Sequence, residues 1–173
     1  MDKGLPSNIE AEKSLLGSVF WSYAALQKAC EELDKEVFYL DSNGKIFEVI
    51  KELYNKKQPV DINTLTSELV TKKILDQVGG VEYLNEIIES VATGANVEYY
   101  INSILEKYTL RKMIEVATDI VKNANDPTVD VSNAVESAEK NILNVAKTRK
   151  TTEFRKVQDV LTKVQQDLQK LVE

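Results

Sequence analysis

Three groups of residues in this chain have types and spacings that chemistry could use. Carboxylates come in close pairs, Glu10/Glu12, Glu31/Glu32 and Glu86/Glu89, and two carboxyls in one site can divide acid and base roles between them. A basic run of Lys147, Arg149, Lys150, Arg155 and Lys156 against the single acid Glu153 could follow a line of phosphates. Tyr99, Tyr100 and Tyr108 could stack on bases. Each group also has a plainer reading. The carboxylates stand among lysines on helical segments and are expected on solvated faces, the basic run reads as a solvated linker, and the tyrosines recur at the spacing of helix packing residues.

The rest of the catalytic repertoire is missing. Gly44-Lys45-Ile46 has no Ser or Thr after its lysine and no glycine at the upstream position a phosphate loop needs, and Gly79-Gly80 leads into no such motif. The chain has no histidine, which rules out a Ser-His-Asp triad and any His-ligated metal. Cys30, the single cysteine, can make neither an internal disulfide nor a cysteine-rich cluster. No catalytic, cofactor-binding or metal-ligating residue is therefore assigned, and the chain alone is expected to be no enzyme.

The composition fits that reading. In 173 residues, 22 basic and 28 acidic side chains leave a net charge of −6, which argues against nonspecific binding to nucleic acid. A hydrophobic fraction of 43% is enough for a buried core, and six glycines with three prolines favour helices over strands and turns. No apolar run approaches the ~18 residues of a membrane span, and Met1-Asp2-Lys3-Gly4 does not open a signal peptide. A cytoplasmic protein without membrane contact is expected.

Leu5-Pro6-Ser7-Asn8 reads as a helix entrance with Ser7 or Asn8 as cap, followed by Ile9, Leu15, Leu16, Val19 and Phe20. A second amphipathic segment covers Tyr23 to Leu33. Asp41 or Ser42 is expected to cap a helix carrying Ile46, Phe47, Ile50, Leu53 and Tyr54, with Asn43-Gly44 in or just before its first turn. Pro59 ends that helix, and Asp61 caps the next, whose stripe is Ile62, Leu65, Leu69 and Val70. Gly79-Gly80 then leads into Val81, Tyr83, Leu84, Ile87 and Ile88. Residues 1–95 thus read as a helical globule of short elements around one core.

Residues 96–147 read as a helical hairpin. Asn96 starts a long helix whose first half carries Val97, Tyr100, Ile101, Ile104, Leu105 and Tyr108. Its second half carries Leu110, Met113, Ile114, Ala117, Ile120 and Val121 on roughly the opposite side, counting about 100° per residue. Such a helix either leaves its own core to pack elsewhere or kinks near Tyr108-Thr109. Asn125-Asp126-Pro127 turns the chain, and Val131, Val135, Ala138, Ile142 and Val145 line a return helix. The apolar surface of the hairpin calls for a partner, most simply a second copy across a two-fold axis. Residues 148–173 hold the basic linker and a terminal stripe of Phe154, Val157, Leu161, Val164, Leu168 and Leu171, which docks on its own domain or on another subunit.

Several of these residues also follow a known pattern. Pro6-Ser7-Asn8-Ile9-Glu10-Ala11-Glu12-Lys13-Ser14-Leu15-Leu16-Gly17 resembles the opening of bacterial replicative hexameric DNA helicases of the DnaB type. Phe38-Tyr39, Ile46-Phe47, Pro59-Val60-Asp61, Val78-Gly79-Gly80 with Tyr83-Leu84, Ala95-Asn96-Val97-Glu98-Tyr99-Tyr100 and Arg111 follow in the family's order. Asn43 stands where many members have His, and Ala92 where many have Pro.

The resemblance implies an all-α N-terminal collar domain with a projecting antiparallel hairpin and a C-terminal amphipathic linker helix, lacking the motor that would bind ATP and Mg. It implies hairpin and dimer contacts through Ile114, Ala117, Ile120, Val121, Val135, Ala138 and Ile142, with three dimers forming a hexameric ring around single-stranded DNA. Tyr83, Ile114 and Ile120 would lie near a primase-binding surface; for Tyr83 the plainer reading is a core tyrosine with its hydroxyl at the surface. Val157, Leu161, Val164 and Leu168 would anchor the linker helix on a neighbouring motor domain, with a helicase loader acting nearby. The chain is then expected to be part of a longer protein that unwinds duplex DNA 5′ to 3′. A free-standing adaptor that binds single-stranded DNA or a replication protein is the alternative.

Overall fold

Helices carry the chain through residues 4–147, the part that the computed structural model describes, with no strand among them. They are α1 (Ile9–Trp21), α2 (Tyr23–Glu32), α3 (Asp41–Asn55), α4 (Ile62–Thr71), α5 (Gly80–Glu89), α6 (Val97–Ala124) and α7 (131–147). Short 3-10 turns at Lys35–Val37 and Asp76–Val78 lead into α3 and α5. The chain divides into two compact units between Tyr108 and Thr109. That division falls inside α6, beyond the 95/96 boundary expected from sequence, because Val97, Ile101 and Ile104 are buried in the first unit's core. α6 is helical without interruption across Tyr108-Thr109.

The first unit closes around Leu15, Leu16, Leu33, Ile46, Phe47, Ile50, Leu53, Leu65, Leu69, Leu84, Ile87 and Ile101, all sealed from solvent. Local chemistry starts its helices. Asn8 accepts from the Ala11 N–H, and its carboxamide donates to the Ser103 hydroxyl at 2.8 Å, tying the start of α1 to α6. Asp61 accepts from the N–H groups of Asn63 and Thr64, as its position before α4 predicts. Val70 and Val81, placed by periodicity on the inner stripes of α4 and α5, are exposed instead.

Two helix ends depart from the usual residue choice. α3 and α4 finish with the paired return bonds of a Schellman motif: Gln58 N–H to Leu53 and Lys57 N–H to Tyr54, then Ile74 N–H to Leu69 and Lys73 N–H to Val70. The position that adopts left-handed backbone is ordinarily glycine. Here it is Lys57 (φ 56°) and Lys73 (φ 59°). A glycine does serve inside α1. A Cβ on Gly17 would run into the Ile87 carbonyl oxygen and lie 2.9 Å from Ser90 Oγ and Val91 Cγ2, so the missing side chain is what lets α1 and α5 cross closely.

The second unit contains the rest of α6, a turn over residues 125–130, and α7. Asp126 shapes the turn by accepting from both the N–H and the hydroxyl of Thr128, and Asp130 starts α7 by accepting from the Asn133 N–H. Two helices reversed by so short a turn within one compact unit form an antiparallel hairpin.

Candidate docking surfaces

Among the carboxylates expected on solvated faces, Glu12 is not one. It is 1% exposed, while its pair partner Glu10 lies at the surface. Its oxygens accept from the Tyr39 N–H at 2.6 Å, the Leu40 N–H at 3.4 Å and the Asn43 carboxamide at 2.8 Å. This corrects the expected start of α3. Leu40 precedes the helix without any side-chain cap, and Asp41 pairs with Lys45 instead. The N–H groups of Tyr39 and Leu40, the two residues just ahead of α3, are served by a carboxylate from α1, 27 and 28 residues away. Gly44 lies in the first turn of α3 with its N–H bonded to the Leu40 carbonyl, so Gly44-Lys45 offers no cradle for a phosphate.

Asn43, fully buried, carries the chain of contacts onward. Its carboxamide oxygen accepts from the Tyr83 hydroxyl at 2.8 Å, so α1, α3 and α5 are pinned together through Glu12, Asn43 and Tyr83. The hydroxyl of Tyr83 therefore points inward, contrary to a core tyrosine with its hydroxyl at the surface. Burial, foremost, pushes its pKa up. Tyr83 as a whole is half-buried, with the Lys13 ammonium 5.2 Å from the ring centre. Lys13 also pairs with Glu86 at 3.3 Å, and that hydrogen bond is the main reason its pKa is raised.

The hairpin divides the residues assigned to it into two sets. Half-buried positions recur along one stripe of each helix: Val116 and Ile120 on α6, and Ala134, Ala138, Asn141 and Val145 on α7. Ile114, Ala117 and Val121 on α6 are exposed, as are Val135 and Ile142 on α7, together with Leu110, Met113 and Val131. Viewed down each helix from its N-terminus, the exposed apolar stripe lies clockwise of the half-buried one, counting about 100° per residue. Because the helices are antiparallel, both clockwise flanks face the same side. The hairpin thus presents a single apolar face built from both helices.

Val157, Leu161, Val164 and Leu168 lie outside the described residues, as does the basic run beyond Lys147. Tyr83 belongs to the first unit, Ile114 and Ile120 to the second. Glu12 and Asn43 escaped the sequence reading. A carboxylate that holds the approach to a remote helix leaves no local spacing signal, and the one available hint was an asparagine in the first turn of an apolar helix. Among the described residues no group of three His, Cys, Asp or Glu is placed to hold a metal, and no helix is long and apolar enough to cross a membrane.

Comparison with known proteins places these surfaces in context. A family described as "DnaB-like helicase N terminal domain" matches residues 4–106. The chain is 38% identical over 170 residues to the replicative DNA helicase DnaC of Bacillus subtilis, covering 98% of this chain and 37% of that one. It is 35% identical over 166 residues to the replicative DNA helicase DnaB of Geobacillus stearothermophilus, again covering 37% of the relative. The chain thus spans little more than a third of the length of these two relatives. The N-terminal domain of DnaB helicase from Mycobacterium tuberculosis superposes with a TM-score of 0.76 at 31% identity, covering 82% of this chain and 99% of the other. A DnaB-like replicative helicase described with its interactions with primase superposes at 0.64 and 25% identity, covering 80% of this chain and 31% of the other.

Proposed function

The chain belongs to the family of DnaB-like helicase N-terminal domains, and from that premise we propose that it assembles a replicative DNA helicase and recruits its partners without catalysing a reaction itself. The observation that supports this is the apolar face of the hairpin, with Ile114, Val121, Val135 and Ile142 each between 42% and 61% exposed. A contiguous apolar face drawn from two helices marks an interaction site. Its occupant is the same face of a second copy, because an isologous contact needs only one self-complementary surface. Three such pairs close a ring of six subunits through which single-stranded DNA passes.

Primase docks at half-buried Tyr83 and at Ile114 and Ile120, and a helicase loader acts near the linker helix. Val157, Leu161, Val164 and Leu168 anchor that helix on the motor domain of the adjacent subunit. ATP and Mg serve that motor in the longer parent protein, which unwinds duplex DNA 5′ to 3′ in the cytoplasm.

Sedimentation of the purified chain tests the assembly. Dimers or larger species are expected at tens of micromolar, and Ile114→Asp or Val135→Asp converts them to monomer with unchanged helix content. A wild-type chain that stays monomeric overturns the proposal. Loss of helix content in both variants means that these residues are structural and sinks their assignment to the face.

A further inference from the structure

A pocket of about 660 Å3 opens on the first unit, where the end of α1 and the start of α2 meet the end of α3 and the loop that follows it. Aromatic rings make its walls: Phe20, Tyr23 and Tyr54, with the two tyrosine rings 6.3 Å apart and tilted by 44°. Tyr23 is 70% exposed while its ring stays in contact with Tyr54. Asn55 and Gln58 place carboxamides at the rim, and a carboxamide can pair with both the donor and the acceptor of a peptide unit. The volume and this mixture of apolar walls with a few polar groups suit a side-chain-sized ligand.

Val19, Leu26, Pro59 and Val60 complete the apolar lining, and Lys57 is its one charged residue. Its backbone is held in the left-handed region by the return bonds that end α3, so the side chain leaves from a fixed point. Neighbouring Lys56 and Lys72 both reach Glu52, but Lys57 makes no ion pair among the described residues. One unpaired ammonium beside a ring-lined pocket complements a carboxylate next to an apolar side chain. A polyphosphate or nucleic acid would need more positive charge than one lysine on a chain of net charge −6 supplies.

We propose that this pocket docks a short acidic peptide segment of a partner protein, seating an aromatic side chain among Phe20, Tyr23 and Tyr54 and a carboxylate against Lys57. The pocket lining shares no residue with the Tyr83 surface, which involves Lys13 in the first half of α1, or with the hairpin face. It stands on its own lining and not on the helicase reading.

The test is residue-resolved NMR titration of the full chain with three probes: acetyl-Glu-Phe-Glu-amide, acetyl-Lys-Phe-Lys-amide and a ten-nucleotide oligothymidylate. The acidic peptide is expected to shift Phe20, Tyr23, Tyr54 and Lys57, and to bind about tenfold more tightly than the basic one. Lys57→Glu should invert that order. Tyr23→Ala should weaken the acidic peptide by about tenfold, with only a small fall in the thermal midpoint from the lost ring contact with Tyr54. Equal binding of both peptides, no localised shifts, or oligothymidylate taking the pocket in preference would each overturn the proposal.

Discussion

Asn43 donates a hydrogen bond to Glu12 over 2.8 Å although the two residues are 31 apart in sequence, and both are sealed from solvent. The contact joins the start of α3 to α1 and leaves Asn43 Oδ1 free to receive Tyr83. A buried polar cluster of this kind is stable only while every member is satisfied. No buried side-chain N or O among the described residues lacks a partner.

Glu12→Ala should therefore be among the most damaging single changes in the first unit. It strands the Tyr39 and Leu40 N–H groups and the Asn43 carboxamide, with an expected loss of about 2–4 kcal/mol. Glu12→Gln keeps one acceptor oxygen and should cost roughly half as much. Urea unfolding followed by circular dichroism measures both, and a Glu12→Ala midpoint within error of wild type contradicts this anchoring role.

Tyr83→Phe removes the donor to Asn43 and should cost about 1 kcal/mol near neutral pH. Its pH dependence is more telling. Burial raises the folded pKa of Tyr83 above the ordinary 10.0, so the neutral phenol is favoured in the fold. That contribution is fully present below pH 10.0 and is lost as pH rises through the folded value. Stability measured against pH should fall less steeply above pH 10.0 in Tyr83→Phe than in wild type, and parallel curves would rule this out.

Gly17→Ala and Lys73→Gly exchange glycine in opposite directions, the first against helix propensity and the second at a left-handed helix end where glycine is preferred. Alanine is favoured over glycine inside a helix by about 1 kcal/mol, yet a methyl at position 17 meets Ile87, Ser90 and Val91, and a net loss of about 1–3 kcal/mol is expected. Lys73 holds a left-handed conformation that costs a side-chain-bearing residue about 1–2 kcal/mol, so glycine there should gain roughly 0.5–1 kcal/mol after its own entropy cost. Thermal midpoints that move in the opposite senses would refute the packing argument and the backbone argument separately.

Asp61 supplies the acid limb. The Thr64 N–H, then the Thr64 hydroxyl, and finally the Asn63 N–H hold its carboxyl below the ordinary 3.8. A depressed value means that its contribution is complete above pH 3.8 and disappears as pH falls through the folded pKa. Asp61→Ala should cost about 1 kcal/mol at neutral pH as a lost helix cap, and the gap from wild type should close in strong acid. A gap that persists undiminished there means the side chain acts by something other than its charge.

Asn8 and Asp61 were legible as caps because a cap and its N–H partners are three residues apart or fewer, well inside a sequence window. The opposed stripes of α6 were legible for the same reason: periodicity reports which side of a helix is apolar. It does not report which of two adjacent apolar flanks meets a neighbour. Ile120 and Ala138 thus fell in with Ile114 and Val135 although the structure half-buries the first pair and exposes the second. Glu12 could not be read at all, since what makes it internal is the return of Tyr39, Leu40 and Asn43 to its side. Val70 and Val81 show the converse error, apolar residues in phase with a stripe but at its margin.

Cys30 sits on the inner side of α2, 5% exposed, and burial pushes its thiol from the ordinary 9.0 to about 11. The thiolate needed for alkylation is therefore scarce and shielded in the folded chain at neutral pH. With no second cysteine in the sequence, a single thiol-reactive probe becomes a clock for opening of the first unit. Where reclosing outpaces labelling, its rate is proportional to the population of the open form. Each substitution above can then be ranked inside a mixture or a lysate, with no denaturant, by how fast one sulfur disappears.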